Sequence, residues 1–175
     1  ARDAAFATEL VMGVLRHRGT LDAILAAVTV RPLAKLDPRV LDVLRMGAYQ
    51  LLYLHTQPHA AVATSVDLVG DVVGPAPKGL VNAVLRKVGA SDLDGWLTRL
   101  TSGLSAVDAL SLRTSHPRWI ASSLRDALGG DDVALAALLE HDNLPPAVTL
   151  VPRPGRITRD DLAAAAAAAT PGRWS

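Results

Sequence analysis

The sequence predicts an all-α fold: a helical bundle, then linker helices, and at the end the first strand and helix of a small α/β domain. Two observations carry the helical part. Apolar residues recur every three or four positions through successive segments, and each segment ends at a Pro-, Gly- or Asp-bearing break. Five such helices in fewer than ninety residues, with no strand pattern among them, define a bundle. The third observation is the change of pattern at "NLPPAVTLVPRPG", where a short β-prone run sits between prolines ahead of a last helix. The expected organisation is 1–100 as the helical domain, 101–143 as linker helices and 144–175 as the start of the α/β domain.

The first helix spans 2–16, with Phe6, Leu10 and Val14 at steps of four. "HRGT" breaks it, and Thr20 is placed to cap a second helix that turns Leu21, Ile24, Leu25 and Val28 inward. "VRPLAKLDP" reads as a loop. Asp37 then caps a third helix, with Pro38 at the first helical position, where its missing N–H costs nothing. Leu36 and Leu41 have the spacing of a hydrophobic staple across that cap. The helix that follows, "RVLDVLRMGAYQLLYLH", is apolar over more than half its circumference, so it belongs at the centre. A fourth helix places Val62, Val66, Val69 and Val73 on one stripe. The fifth, "PKGLVNAVLRKV", turns Leu80, Val81, Val84, Leu85 and Val88 inward, with Lys78, Asn82 and Arg86 aligned on its flank. Further helices fall at 93–101 and 106–112 and in "RWIASSLRDALGG" and "DDVALAALLEHD". Thr158 caps the last, "RDDLAAAAAAA", whose poly-Ala run has high helix propensity and little recognition content.

Composition limits the chemistry. Half of the 175 residues are hydrophobic but only 3% are aromatic, so the core must be Ala, Val and Leu packed closely. Eighteen basic residues against seventeen acidic ones leave a net charge of +1. No global field attracts a nucleic acid, and any such contact must come from a local patch. Fifteen of the basic residues are Arg, the better phosphate fork. The absence of cysteine excludes disulfides, thiolate metal sites and cysteine nucleophiles from this chain. No apolar run reaches membrane length and no signal-peptide layout opens the chain, which reads as soluble and cytoplasmic. It begins without Met, already in helical pattern, as a piece of a longer protein would.

No dinucleotide fingerprint, P-loop, nucleophile elbow or zinc-protease motif occurs, and no catalytic residue is assigned. His55 and His59 are four apart, but Pro58 breaks the helix that would align them and no third ligand is evident, so no metal is expected. Asp131–Asp132 and Asp160–Asp161 stand at helix starts, where capping explains them. Trp96 and Trp119 could stack bases, but their helical spacing reads as core or inter-domain packing. The candidate RNA contacts are Arg16 and Arg18 at the end of the first helix and Lys78, Arg86 and Lys87 around the fifth. Basic residues near helix C-termini also complement the dipole, so a functional patch requires the two clusters to share one surface.

The residues Leu44–Arg45, Tyr49–Gln50–Leu51, Pro58 and Gly79 to Leu85 resemble the signature region of the NusB-like fold, an RNA-binding helical module. The continuation through His116–Pro117 and Trp119 is similar to the RsmB (Fmu/Sun) family of ribosomal RNA cytosine-C5 methyltransferases. In that family a NusB-like domain leads by helices and an H-P-x-W segment into a small α/β domain, then into a Rossmann-like catalytic domain. Val151–Pro152–Arg153 departs from the R-[IV]-N that the family shows at the entry strand.

The resemblance implies methyl transfer from S-adenosylmethionine to C5 of a cytosine in small-subunit rRNA, through a cysteine nucleophile that makes C5 enamine-like. Neither the cysteines nor the glycine-rich cofactor loop is in this chain. It would be the RNA-binding N-terminal part, catalytically silent alone, with rRNA and its own catalytic domain as partners. The alternative is a stand-alone NusB-like antitermination or ribosome-assembly factor. Arg45, Tyr49 and Asn82 are structural in this reading, Asn82 tying its helix to a neighbouring segment.

Overall fold

The computed structural model describes residues 2–144 and 150–169, and the chain divides at 143/144 into two compact units. The first holds nine helices: α1 Arg2–Arg16, α2 Arg18–Val28, α3 Pro38–Leu52, α4 Pro58–Val72, α5 Lys78–Val88, α6 Leu93–Thr101, α7 Ala106–Thr114, α8 Arg118–Ala127 and α9 Asp132–Asp142. A single 3₁₀ turn, Leu33–Lys35, lies between α2 and α3. The second unit contains α10, Arg159–Ala169. Part of the expected strand, 145–149, lies outside the described residues, and 150–153 are irregular.

The central helix is α3. Asp37 caps it by accepting from the Arg39 N–H at 2.9 Å, and Val40, Val43, Leu44, Gly47, Ala48, Tyr49 and Leu52 are all buried. Leu36 and Leu41 both pack against the core, as the staple requires. A core this poor in aromatic volume closes only if backbones approach one another, and two glycines permit it. A Cβ at Gly47 would stand 2.5 Å from Leu85 Cδ1 and 2.7 Å from Ser65 Oγ; one at Gly13 would stand 2.1 Å from the Tyr49 ring. The first contact brings α4 and α5 onto α3, the second brings α1 onto it.

Close approach at Gly47 also explains a shift on α4. Its buried line is Ala61, Ser65 and Val69, while Val62, Val66 and Val73 flank it half-buried. Small residues face the glycine, and the Ser65 hydroxyl satisfies itself on the Ala61 carbonyl at 2.7 Å. On α5, Val81, Val84, Leu85 and Val88 are buried as expected, but Leu80 is 41% exposed. It lies about 90° from the centre of that stripe, on a helix whose residues step by about 100°.

The break at "HRGT" is a joint of one residue. His17 donates its N–H to Gly13 O and accepts from Leu21 N, both at 2.9 Å, so α2 starts at Arg18 and Thr20 falls inside it. Thr20 is therefore not a cap. It is fully buried, its hydroxyl donates to Leu112 O at 2.6 Å and pairs with Ser115 Oγ at 2.6 Å, and its N–H donates to the same Ser115 Oγ. This staple fastens α7 to α2. The helices α7, α8 and α9 close a second small core around Ala121, Leu135 and Leu139. Asp131 caps α9 and Thr158 caps α10 in the roles read from sequence, while Asp132 pairs with Arg125 rather than capping.

Tyr49 gathers the α1–α2 joint. Its hydroxyl donates to Glu9 at 2.8 Å, and its ring stacks at 5.1 Å on Tyr53, which stacks at 4.2 Å on His17. Burial raises both tyrosine pKa values to about 12. Arg45 makes a two-pronged bond to Asp22 (2.7 and 2.8 Å) and a third to Asp42, tying α3 to α2. Gly13→Ala forces Tyr49 off this seat and should cost about 1–3 kcal/mol. At about 2–4 °C per kcal/mol for a chain of this size, calorimetry will show it as a clear drop in Tm.

Burial, assisted by the Arg16 charge, lowers the His17 pKa from 6.5 to about 4, and its Nδ1 has no hydrogen-bond partner. The unfolded chain therefore takes up this proton first as the pH falls. Stability is full above pH 6.5, declines between 6.5 and 4, and gains no further slope from this group below 4. Urea midpoints measured across that window should fall with pH, and His17→Phe, which keeps the stacked ring, should flatten the slope.

Candidate nucleic-acid interface

Three of the five expected RNA contacts lie at the two ends of α2. Arg16 and Arg18 flank His17 at the start of α2, and Lys87 reaches its end, where Nζ donates to Val28 O at 3.4 Å. Ten residues of α-helix separate Arg18 from Val28, so Arg18 and the Lys87 contact on Val28 stand about 15 Å apart along α2.

Within the α5 cluster the roles differ. Lys87 closes a helix C-terminus, the dipole role that sequence alone leaves open. Lys78 is half-buried, its stem lying so near Gly70 on α4 that a Cβ there would meet Lys78 Cε at 2.1 Å. Arg86 is exposed, and its Nε donates to Asn82 Oδ1 at 3.3 Å. This corrects the expectation for Asn82: its hydrogen bond runs along its own helix to Arg86, not across to a neighbouring segment. Tyr49 and Arg45, by contrast, join α3 to α1 and α2 through the bonds described above.

Asn82 and Arg86 stand on the wall of a recess of about 470 Å³ between α4 and α5. Its floor is apolar, with Leu51, Val62, Val66 and Leu85, and His59 and Asp67 also line it. Four of the signature residues, Leu51, Pro58, Asn82 and Leu85, thus line a groove with an apolar base and a mixed polar rim. A flat base can lie on such a floor while the guanidinium meets a phosphate.

The two tryptophans part company. Trp96 is buried and donates Nε1–H to Val88 O at 2.9 Å, with the Arg99 guanidinium 4.1 Å above its ring. Trp119 is 71% exposed, so it is not a core residue of this unit. Helical spacing alone could not separate them, because α8 buries only Ala121. Among the described residues no helix is long and apolar enough to cross a membrane, and no group of three His, Cys, Asp or Glu could hold a metal ion.

An all-helical bundle whose central helix carries the Arg45–Tyr49 signature, followed by a helix bearing Asn82, defines a class. Residues 1–90 match the model of the NusB family, and the chain belongs to that family. Over 99% of its length it is 43% identical to a protein of Mycobacterium tuberculosis (strain H37Rv) that is named, provisionally, a methyltransferase. It is 34% identical over 126 residues, 72% of the chain, to the ribosomal RNA small subunit methyltransferase B of Escherichia coli O1:K1 and of Escherichia fergusonii. The matches cover 38% of the mycobacterial protein and 28% of the Escherichia proteins. The resemblance to the RsmB family read from the motifs holds at this level.

The differing roles on α5 are separable by measurement. Arg86→Glu should leave thermal stability within about 0.5 kcal/mol of the parent, as for an exposed side chain with one weak bond. Lys87→Glu places an acid at the α2 carbonyl end and should cost about 0.5–1 kcal/mol of stability, read as a lowered Tm.

Proposed function

We propose that this chain is the RNA-binding N-terminal region of an S-adenosylmethionine-dependent small-subunit rRNA (cytosine-C5) methyltransferase. It positions rRNA for a catalytic domain that is not part of the chain. The observation that carries the reading is the similarity to ribosomal RNA small subunit methyltransferase B over 72% of the chain, running past the NusB-family segment into α7 and α8.

The chain's own residues do not fit the cofactor or the covalent step. It contains no cysteine, and no described strand leads into a glycine-rich loop. No chemical step is derived for it. Its contribution is orientation: contacts remote from the reacting base hold the target in place before a slow reaction, which is where binding energy accelerates catalysis. The partners of this reading are small-subunit rRNA and the protein's catalytic domain, in the cytoplasm.

Fluorescence anisotropy with small-subunit rRNA fragments tests it. Binding should weaken with salt, log K falling by about 0.7 per phosphate neutralised for each unit of log salt. Arg86→Glu should weaken it about tenfold or more. Equal affinity for the parent and a Lys78/Arg86/Lys87 charge-reversed chain would assign the α5 face to protein contacts instead. Methyl transfer from S-adenosylmethionine by this chain alone would overturn the proposal.

A further inference from the structure

A second recess, of about 440 Å³, opens where the α1–α2 joint meets the α7–α8 joint. We propose that it is a phosphate-binding site, built by Arg18, Ser111, Arg118 and the first amides of α8, with Trp119 as the stacking surface for an adjoining base. The RNA in this proposal rests on the function proposed above; the phosphate pocket itself does not.

The observation that points to a ligand is Ser111. Its side chain is buried, 9% exposed, it lines the recess, and its hydroxyl has no hydrogen-bond partner. The other buried hydroxyls among the described residues are satisfied: Ser65 on Ala61 O, Thr114 on Leu110 O, Thr20 on Leu112 O. Ser111 does not make the corresponding bond back along its helix. A buried hydroxyl left unpaired is costly, and a partner absent from the fold itself is the expected remedy.

The surroundings set the chemistry of that partner. Pro117 precedes α8 at its cap position with no side-chain acceptor, so the Arg118 and Trp119 N–H groups have no partner among the described residues and lie at the positive end of the helix dipole. Arg18 is exposed and belongs to none of the ion pairs among the described residues. Arg118 gives Nε to Asp108, which also accepts from Ser105, and neither terminal nitrogen of the guanidinium has a partner among the described residues. Two guanidinium groups against one carboxylate leave the lining positive. His116, also on the wall, is held by Thr114 at 3.0 Å and lies 3.9 Å from Asp142, so it frames the recess. An oxyanion with several acceptor oxygens suits this donor set.

The recess is also preformed. Ser115 adopts a left-handed conformation (φ 59°) that sets its hydroxyl against Thr20, and its backbone packs on Gly19, where a Cβ would lie 3.3 Å from Ser115 Cα. Both walls are thereby fixed to one another, which reduces the ordering needed on binding. Immediately after Arg118, Trp119 offers an exposed ring, and aromatic faces beside cationic phosphate sites hold single-stranded bases by stacking.

The test uses the whole 175-residue chain. Inorganic phosphate is titrated while amide spectra are recorded, and a short single-stranded RNA is titrated by anisotropy. Phosphate should move the Gly19, Ser111, Arg118 and Trp119 amides. Arg18→Gln, Arg118→Gln, Ser111→Ala and Trp119→Ala should each weaken RNA binding about tenfold. Ser111→Ala discriminates further: it should leave Tm unchanged or raised while weakening both ligands, whereas a purely structural serine would lose Tm. If RNA binds the parent but none of the variants changes affinity and phosphate moves none of these amides, the pocket is refuted and the general RNA-binding reading survives. If phosphate binds as described and RNA does not, the pocket is a free-anion site and the RNA reading fails. If Trp119→Ala alone leaves RNA affinity unchanged, the stacking role is refuted and the ring belongs to a protein contact.

Discussion

The contact of Tyr49 with Gly13 governs the arrangement of the first unit. A tyrosine on the central helix needs a seat in an interior that has almost no other aromatic volume, and the glycine on α1 supplies it. Once Tyr49 is seated, its hydroxyl takes Glu9, its ring takes Tyr53, and Tyr53 takes His17. The chain turns at His17 because that ring is held there. The direction of α2 follows, and with it the places of Thr20 against α7, Asp22 against Arg45, and Val28 against Lys87.

Much of this was legible in the residues. Asp37–Pro38, Asp131 and Thr158 mark helix starts because capping is local chemistry, decided by three or four neighbouring residues. The centrality of α3 was legible because an apolar circumference leaves few alternatives. The failures share a cause as well. Thr20 looks like a cap until α7, more than eighty residues later, brings Ser115 to it. The inward line of α4 turns from the valines toward Ala61 and Ser65 because a glycine on another helix admits the closer backbone. Trp119 carries the same helical spacing as Trp96, yet among the described residues it is not drawn into a core. Such facts belong to pairs of elements, and one segment does not contain them.

The basic residues give the same lesson for the site. Their clustering in sequence was evident, yet Lys87 is a helix-end cation, Lys78 a packing residue, and Arg86 an exposed group braced by Asn82. Only two of the five present a largely open guanidinium, Arg18 and Arg86, and they belong to different recesses.

The staple between Thr20 and Ser115 has a consequence for how this module can be handled. The family segment ends at residue 90, but one of its fully buried side chains is satisfied by hydroxyl and carbonyl groups at 112–115. A cut at the family boundary would strand that threonine in a solvent-facing hollow beside Leu21 and Leu25. The smallest transplantable piece of this protein is therefore set by a hydrogen bond rather than by homology, and it includes α7.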